Sequence, residues 1–275
     1  MNTAFAPNGT RLGDRVDTTG FGRYEMEIDG CNTVWYEAGD GPPLVFFHGG
    51  GTFHGLHFAR RWAATHRVIL PYHPNFGASD DNPRVQALHH YALHYAEFFD
   101  RLGLDRFDLV ALSFGGEVAV EFALFQKHRV RSLVLGAPAG LDVPSDPPPD
   151  LSQVPPHEFF GYLVHDMAAL APYLPDGPDP AFGANRQREL GAVLRALQHK
   201  GAVGIDLHRW LPRLRSVPSL VLWGRQDRIL PVGQATAWQV ALQAELQLFD
   251  GVGHLLFDES TDAVDAVTRF TQAPR

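Results

Sequence analysis

Residues 107–120 read FDLVALSFGGEVAV, and the segment joins two different patterns. The run Phe107–Leu112 is mostly apolar, which is typical of a strand covered on both faces of a parallel sheet. From Gly116 to Lys127 apolar residues recur at three- and four-residue steps, which predicts a helix. Ser113 therefore stands at a tight turn between a buried strand and a helix.

The same two patterns alternate along most of the chain. Short apolar runs predict further strands at residues 44–47, 67–70, 132–135, 220–223 and 246–249. Helical periodicity predicts helices at residues 85–102, 233–242 and 260–271. Near the N-terminus, the runs RYEMEI and TVWYEAG flank Asp29-Gly30, which favours a hairpin turn. The predicted fold class is therefore α/β, with a doubly wound, mostly parallel sheet preceded by an antiparallel hairpin.

Residues 140–211 break this alternation, because they contain no strand-like run. They begin with VPSDPPP at 143–149 and continue with helix-like segments at 158–170 and 186–199. Clustered prolines can neither continue a helix nor sit in a central strand, so the chain leaves the sheet here. We interpret residues 140–211 as a helical lid over the strand ends, and residues 1–139 and 212–275 as one core. A remote helical appendage is the alternative.

Two roles are open to Ser113 from its own segment. A strand-to-helix turn lifts a hydroxyl above the sheet edge, and small neighbours such as Ala111 and Gly115 let the turn close. The pattern G-x-S-x-G is met except that Ala111 replaces the first glycine. A serine that merely caps the following helix is the structural alternative.

Candidates for a base and an acid follow later strands. A serine hydroxyl is a weak nucleophile, so it needs a base, and the base needs a partner that fixes its tautomer. Asp227 follows the run 220–223, and His254 follows the run 246–249 in a glycine-containing loop. The chain order serine, aspartate, histidine predicts a triad of Ser113, Asp227 and His254. Asp142 is the reserve acid.

The glycine-rich loop after the strand 44–47 supplies candidate oxyanion donors. It reads His48-Gly49-Gly50-Gly51. Backbone N–H groups without side-chain obstruction can point at the oxyanion of acyl transfer. We predict the N–H groups of Gly50 and Phe114 as the donors, with Gly51 as substitute for Gly50, and His48 and Gly49 as neighbouring substrate contacts.

Together these motifs resemble the α/β-hydrolase superfamily, in its helical-lid branch of esterases, lactonases and carbon–carbon bond hydrolases. The resemblance runs from Phe21 onward and includes HPNFGASD at 73–80 and WGRQDR at 223–228. It implies a serine hydrolase that cleaves a small to medium carboxylic ester or lactone through an acyl-enzyme, without a cofactor. Ser113 argues against the epoxide hydrolases and haloalkane dehalogenases of this fold, because they use an aspartate at that position.

The alternative within the family is carbon–carbon bond cleavage of a vinylogous diketone. Those hydrolases usually carry an asparagine before the nucleophile and a tryptophan after the histidine, where this chain has Leu112 and Leu255. This difference favours ester or lactone substrates. An arginine binds the substrate carboxylate in that group, and Arg186 or Arg188 could do so here. A ligand sensor on the same fold is the alternative outside enzymes.

Aromatic residues of the predicted lid could form part of a pocket wall, with Phe160 as the predicted substrate contact. The candidates are Phe159, Phe160, Tyr162 and Tyr173. His54 and His57, which follow the glycine loop, could line the pocket entrance. His90 and His94 would share a helix face, but a zinc-protease glutamate and a third ligand are lacking, so no metal site is expected.

Composition limits the classes of partner. The 23 Lys and Arg residues against 31 Asp and Glu give a formal net charge of −8, which disfavours nucleic acid. The sequence predicts no membrane span and no secretory signal, hence a cytoplasmic protein with a small-molecule substrate. A homo-oligomer is compatible with it. Cys31 is the only cysteine, which excludes an intramolecular disulfide and suggests a structural thiol.

Overall fold

The fold is taken from a computed structural model of the chain, which describes residues 16–155, 158–198 and 206–274. In these residues one sheet has the strand order β1-β2-β4-β3-β5-β6-β7-β8. The strands are β1 Gly22–Ile28, β2 Cys31–Ala38, β3 Pro43–Phe47, β4 Arg67–Pro71, β5 Phe107–Leu112, β6 Val130–Gly136, β7 Ser219–Gly224 and β8 Glu245–Phe249.

Strand direction confirms the predicted fold class. β1 and β2 form an antiparallel hairpin in which Ile28 pairs with Cys31, and β2 pairs antiparallel with β4. All pairs from β4 to β8 are parallel. Because β3 and β5 are neighbours, with Phe47 opposite Ala111, the glycine loop and Ser113 emerge side by side at one edge of the sheet.

Helices surround the sheet. They are α1 Ala59–Ala63, α2 Leu88–Leu102, α3 Phe114–Gln126, α4 Phe160–Leu163, α5 Pro180–Gln198, α6 Leu207–Trp210, α7 Gln234–Leu242, α8 Leu256–Glu259 and α9 Thr261–Gln272. α2 begins three residues later than predicted because Ala87 is extended, with φ −140° and ψ 161°. α3 begins two residues earlier than predicted, directly after Ser113. The predicted helices at 233–242 and 260–271 correspond to α7 and α9.

Between β6 and β7 the described residues form helices and turns but no strand. The continuous helix predicted at 158–170 is wrong: α4 ends at Leu163 because Val164 is extended, and single 3-10 turns follow at Met167–Ala169 and Ala171–Tyr173. The helix predicted at 186–199 begins earlier, at Pro180. There the Asp179 carboxylate accepts a hydrogen bond from Phe182 N at 2.9 Å, which caps the first turn. His199 lies outside the described residues.

Aromatic packing holds α2 and α3 against the sheet. Phe47 of β3 stacks on Tyr95 of α2 with 4.0 Å between ring centroids, and Phe99 meets Phe107 of β5 at 4.4 Å. All these side chains are buried. At the start of α3, Phe114 stacks on Phe76 with 5.8 Å between ring centroids, so the residue next to Ser113 is also held by buried aromatic packing. Among the described helices, none is both long and apolar enough to cross a membrane.

Candidate active site

Ser113 occupies a strained position between β5 and α3. Its φ of 53° lies in the left-handed region, which costs a residue other than glycine roughly 1–3 kcal/mol. A Cβ at Gly115 would overlap the carbonyl oxygens of Phe47 and His48, and one at Gly116 would lie 2.7 Å from Pro138 Cβ. The turn from β5 to α3 therefore requires a small residue at Gly115, next to the end of β3, and another at Gly116, next to the loop after β6. The Ser113 side chain makes no capping hydrogen bond, so the helix-cap interpretation is not supported.

His254 and Asp227 are hydrogen-bonded to each other. Asp227 lies in the loop after β7, and His254 lies in the loop after the neighbouring strand β8. The distance between His254 Nδ1 and Asp227 Oδ2 is 2.8 Å. The other carboxylate oxygen accepts hydrogen bonds from the backbone N–H groups of Ile229 at 2.8 Å and Leu230 at 2.9 Å. Both side chains are almost wholly buried, 3% exposed for His254 and 0% for Asp227. The carboxylate thus orients the imidazole from within the protein.

Asp227 makes no surface ion pair with the arginines beside it. Arg225 pairs instead with Asp250, and the Arg228 guanidinium lies over the Tyr162 ring. Asp142, the reserve acid, is exposed, and its backbone oxygen accepts a hydrogen bond from His208 Nε2 at 2.7 Å. Asp227 is therefore the acid that the structure brings to His254.

Ser113 and His254 line one cavity of about 240 Å³. Gly49, Gly50, Gly51 and Phe114 line it as well, so the predicted donors stand around the serine. A Cβ on Gly49 would lie 3.4 Å from Ser113 Cβ and 3.9 Å from its Oγ. The glycine loop therefore passes directly beside the serine hydroxyl, where a backbone without side chains leaves room for a substrate.

His48 was predicted to contact substrate, but the structure gives it a different task. Its Nδ1–H donates to the Gly49 carbonyl at 2.8 Å, and its Nε2 accepts from the backbone N–H of His73 at 3.0 Å. Burial lowers the pKa of His48 to about 3, so the ring stays neutral near pH 7. Both ring nitrogens are engaged with backbone, and His48 is not among the residues that line the cavity. It joins the glycine loop to the loop after β4.

Arg188 and Phe160 also lie outside the cavity lining. The Arg188 guanidinium donates to the carbonyl of Gly77 at 2.6 Å and to the Asp81 carboxylate at 2.8 Å, so it ties α5 to the loop after β4. Phe160 packs on Phe53 with 5.4 Å between ring centroids. The residues that line the cavity in their place are Arg186 and Phe159.

Arg186 is a buried cation at the cavity. Its guanidinium lies 4.6 Å from the centroid of the Phe53 ring, and its Nη1 would collide with any Cβ on Gly51. Burial lowers the pKa of Arg186, and the nearby Glu189 carboxylate, 3.5 Å away, opposes that change. Among the described residues Nη1 has no hydrogen-bond partner. The cavity thus presents to a ligand a guanidinium whose charge Glu189 offsets from one side.

Glu189 is a functional candidate that the sequence did not reveal. Its side chain is wholly buried although it lies on α5. It accepts hydrogen bonds from Thr52 N at 3.2 Å, Thr52 Oγ1 at 2.5 Å and Gly77 N at 3.1 Å. Spaced three residues from Arg186, it resembles a solvent-exposed helix pair in the sequence, and no local signal marks it as an anchor for the glycine loop.

Three further residues singled out in the sequence, His57, His94 and Cys31, make hydrogen bonds to other parts of the protein. His57 Nδ1 is hydrogen-bonded to the Tyr173 hydroxyl at 2.6 Å, and His94 Nε2 to Thr33 Oγ1 at 3.1 Å. The Cys31 thiol donates to the Asp81 carbonyl at 3.4 Å, and burial raises its pKa. Within the described ranges no group of three or more His, Cys, Asp or Glu side chains is arranged to hold a metal ion.

Comparison with solved structures supports the fold. The 2-hydroxy-6-oxo-6-phenylhexa-2,4-dienoate hydrolase of Rhodococcus sp. strain RHA1 is 20% identical, with a TM-score of 0.75 over 92% of this chain and 99% of that one. Naproxen esterase from Bacillus subtilis is 19% identical, with a TM-score of 0.73 over 98% of this chain and 100% of the esterase. At such low identity these likenesses show the fold alone.

Sequence comparison identifies the family. A 2-hydroxy-6-oxo-2,4-heptadienoate hydrolase of Pseudomonas putida is 29% identical, with 82% of this chain and 87% of that protein aligned. A 2-hydroxy-6-oxo-6-phenylhexa-2,4-dienoate hydrolase of Comamonas testosteroni is 28% identical over 86% and 90%. The family model described as the alpha/beta hydrolase family matches residues 44–267, which is most of the chain. On this match and on the sheet described above, the protein is a hydrolase of the α/β-hydrolase family.

Proposed function

We propose that the protein is a serine hydrolase that cleaves a small to medium carboxylic ester or lactone through an acyl-enzyme on Ser113. The proposal rests on one observation: a buried Asp227 carboxylate holds Nδ1 of His254, and His254 lines the same cavity as Ser113. Held in this way, the neutral imidazole keeps its proton on Nδ1 and has Nε2 free to act as a base.

The proposed reaction follows from these positions. His254 Nε2 takes the hydroxyl proton as Ser113 Oγ attacks the carbonyl carbon, and Asp227 stabilises the imidazolium that forms. The backbone N–H groups of Phe114 and of Gly50, or Gly51 in its place, hold the oxyanion. The departing alkoxide takes the proton from His254, and a water molecule activated by the same ring then releases the acid.

The lining of the cavity favours a compact, largely apolar acyl group. Apart from the catalytic groups and glycines, most lining side chains are apolar; they are Phe53, Ala139, Leu151, Phe159, Leu163, Leu190, Val193, Leu197, Ile229, Leu230 and Leu255. A volume of about 240 Å³ accommodates a small to medium acyl group.

We propose that residues 140–211 act as a lid on a core formed by residues 1–139 and 212–275. One face of α5 supports this proposal, because Arg186, Leu190, Val193 and Leu197 follow one another at helical spacing and all line the cavity. Much of the substrate surface would therefore contact the proposed lid. Residues of the lid would thus determine substrate specificity.

Carbon–carbon bond hydrolysis is the second candidate, and Arg186 is the observation that favours it. The Arg186 guanidinium, whose Nη1 makes no hydrogen bond among the described residues and lies 3.5 Å from Glu189, suits a substrate carboxylate, and the dienoate in the names of the Pseudomonas and Comamonas relatives carries one. Leu112 and Leu255 stand against it, since they replace residues usual in that group. An ester that bears a carboxylate would use Arg186 equally well.

A substrate panel separates the candidates. Turnover is measured on p-nitrophenyl esters, small lactones and vinylogous diketones, with Ser113→Ala as the control protein. We expect hydrolysis of esters or lactones that Ser113→Ala abolishes. Turnover confined to the diketones would select the carbon–carbon bond hydrolase, and no turnover with any class would favour a ligand sensor.

A further inference from the structure

A second histidine and carboxylate meet at the cavity that contains Ser113. His54 lies three residues after the last glycine of the loop, and its side chain lines the cavity together with His254. The ring is 4% exposed, and its Nδ1 lies 3.1 Å from Oδ2 and 3.3 Å from Oδ1 of Asp258. Asp258 belongs to α8, directly after the loop that contains His254.

The Asp258 carboxylate depends on this contact. Its side chain is wholly buried, and a buried carboxylate is costly unless it accepts hydrogen bonds. Among the described residues, the hydrogen bond to this carboxylate comes from His54. The pair thus repeats the histidine–carboxylate contact of His254 and Asp227, although Asp258 Oδ2 has no hydrogen-bond partner among the described residues.

The second ring nitrogen of His54 is open to a ligand. With Nδ1–H donated to the carboxylate, a neutral imidazole carries a lone pair at Nε2, which accepts hydrogen bonds. No hydrogen bond to Nε2 is found in the described part of the chain, while the ring faces a mostly apolar cavity.

We propose that His54, held by Asp258, determines specificity by accepting a hydrogen bond from a hydroxyl group of the substrate. The proposal rests on the proposed function in one respect, that the substrate occupies this cavity, and it defines the substrate class as a hydroxylated ester or lactone. An ester without the hydroxyl leaves the Nε2 lone pair buried and unpaired, which weakens its binding.

Equilibrium binding tests this proposal without catalysis. The protein is the Ser113→Ala variant at pH 8, where imidazole is ordinarily neutral. Calorimetry compares phenyl butanoate with phenyl 2-hydroxybutanoate, phenyl 3-hydroxybutanoate and 2-hydroxyphenyl butanoate, so that the hydroxyl lies on either side of the ester. We expect at least one hydroxylated ester to bind about tenfold more tightly than phenyl butanoate.

Two variants in the Ser113→Ala background connect the preference to the pair. His54→Leu removes the acceptor. Asp258→Asn presents an amide donor to Nδ1, which moves the ring proton to Nε2 and turns the acceptor into a donor. His54→Leu is expected to reduce the preference to within about twofold. Asp258→Asn is expected to weaken the preference without changing the histidine, because a hydroxyl placed to donate to Nε2 has to turn and accept from Nε2–H instead. His128→Leu, in an exposed turn, is the matched control that keeps the preference.

Equal affinity for all four esters, a preference that survives His54→Leu, or a preference that Asp258→Asn leaves unchanged would overturn the proposal. Hydrolysis of the same esters by the protein with Ser113 intact tests the proposed function separately. A hydroxyl preference without hydrolysis would reject the serine hydrolase and retain the hydroxyl site. Hydrolysis without the preference would reject the hydroxyl site and retain the serine hydrolase.

Discussion

Asp227 divides its two carboxylate oxygens between the backbone and His254. Oδ1 accepts from two consecutive N–H groups at 2.8 Å and 2.9 Å, and Oδ2 accepts from His254 Nδ1 at 2.8 Å. Because both oxygens are engaged, the carboxylate cannot rotate away from the ring. The tautomer of His254 is therefore determined by the backbone of the loop after β7.

This arrangement makes Asp227→Asn a specific test at the residue scale. The amide oxygen can replace Oδ1 at the two N–H groups, so the NH₂ group faces His254 and donates to Nδ1. The ring proton then lies on Nε2, which can no longer accept the Ser113 proton. We expect kcat for p-nitrophenyl butyrate to fall by about 10⁴-fold with an unchanged circular dichroism spectrum.

The matched control for that variant is Asp250→Asn. Asp250 lies in the next loop but is 87% exposed and pairs with Arg225, so its change should leave kcat within about twofold of wild type. If Asp227→Asn retained more than about a tenth of the wild-type kcat, another residue would have to orient the base.

At the scale of elements, α5 and the glycine loop are joined through one carboxylate. Glu189 of α5 accepts hydrogen bonds from both Thr52 donors and from Gly77 N, and it balances the charge of Arg186. Thr52 directly follows Gly51, so the position of the proposed oxyanion donors depends on a residue of the proposed lid. Folding of the core and docking of α5 are thus coupled.

Glu189→Gln is expected to destabilise the protein by about 3 kcal/mol, because it leaves the Arg186 charge buried without a counter-charge and faces an amide toward N–H donors. It should also lower kcat through displacement of the glycine loop. Urea denaturation and p-nitrophenyl ester turnover measure the two effects. Glu97→Gln on α2, which loses only an exposed pair with Arg101, should change stability by less than about 0.5 kcal/mol. Equal stability of the two variants would contradict this coupling.

The strands could be predicted from the sequence more accurately than the direction in which each helical side chain points. A buried strand is marked by its own apolar run. The proposed triad residues lie in the turns and loops after such runs, so their place at the edge of the sheet could be inferred. Arg186 and Arg188 are two positions apart on a helix, about 200° around its axis, and periodicity alone did not determine which of them faces the cavity. Likewise, His48 follows a strand as expected, but the direction of its ring depends on His73, which is distant in sequence.

At the scale of the whole molecule, several histidines are buried in neutral form. Burial lowers the pKa of His48 to about 3 and of His94 to about 4, and it lowers the pKa of His73 well below its ordinary value. The unfolded chain binds protons at these rings near pH 6.5, whereas the folded protein cannot. The free energy of unfolding therefore decreases as the pH falls from about 6.5 toward 4.

Each such histidine contributes a slope of up to about 1.4 kcal/mol per pH unit. Urea denaturation between pH 6.5 and 5 measures the slope, and His94→Gln should reduce it by about that amount. His128→Gln is the control, because its side chain is exposed and its removal should leave the slope unchanged. A slope that is identical in wild type and His94→Gln would show that the pKa of His94 is the same in the folded and unfolded protein.

The most direct measurement of the central claim is covalent labelling of Ser113. The protein is treated with a fluorophosphonate, digested and analysed by mass spectrometry, with Ser113→Ala as the control. Attack by an activated serine displaces fluoride, so we expect one phosphonyl adduct on the peptide that contains Ser113 and none in the variant. An unlabelled protein, or an adduct on a different serine, would contradict it.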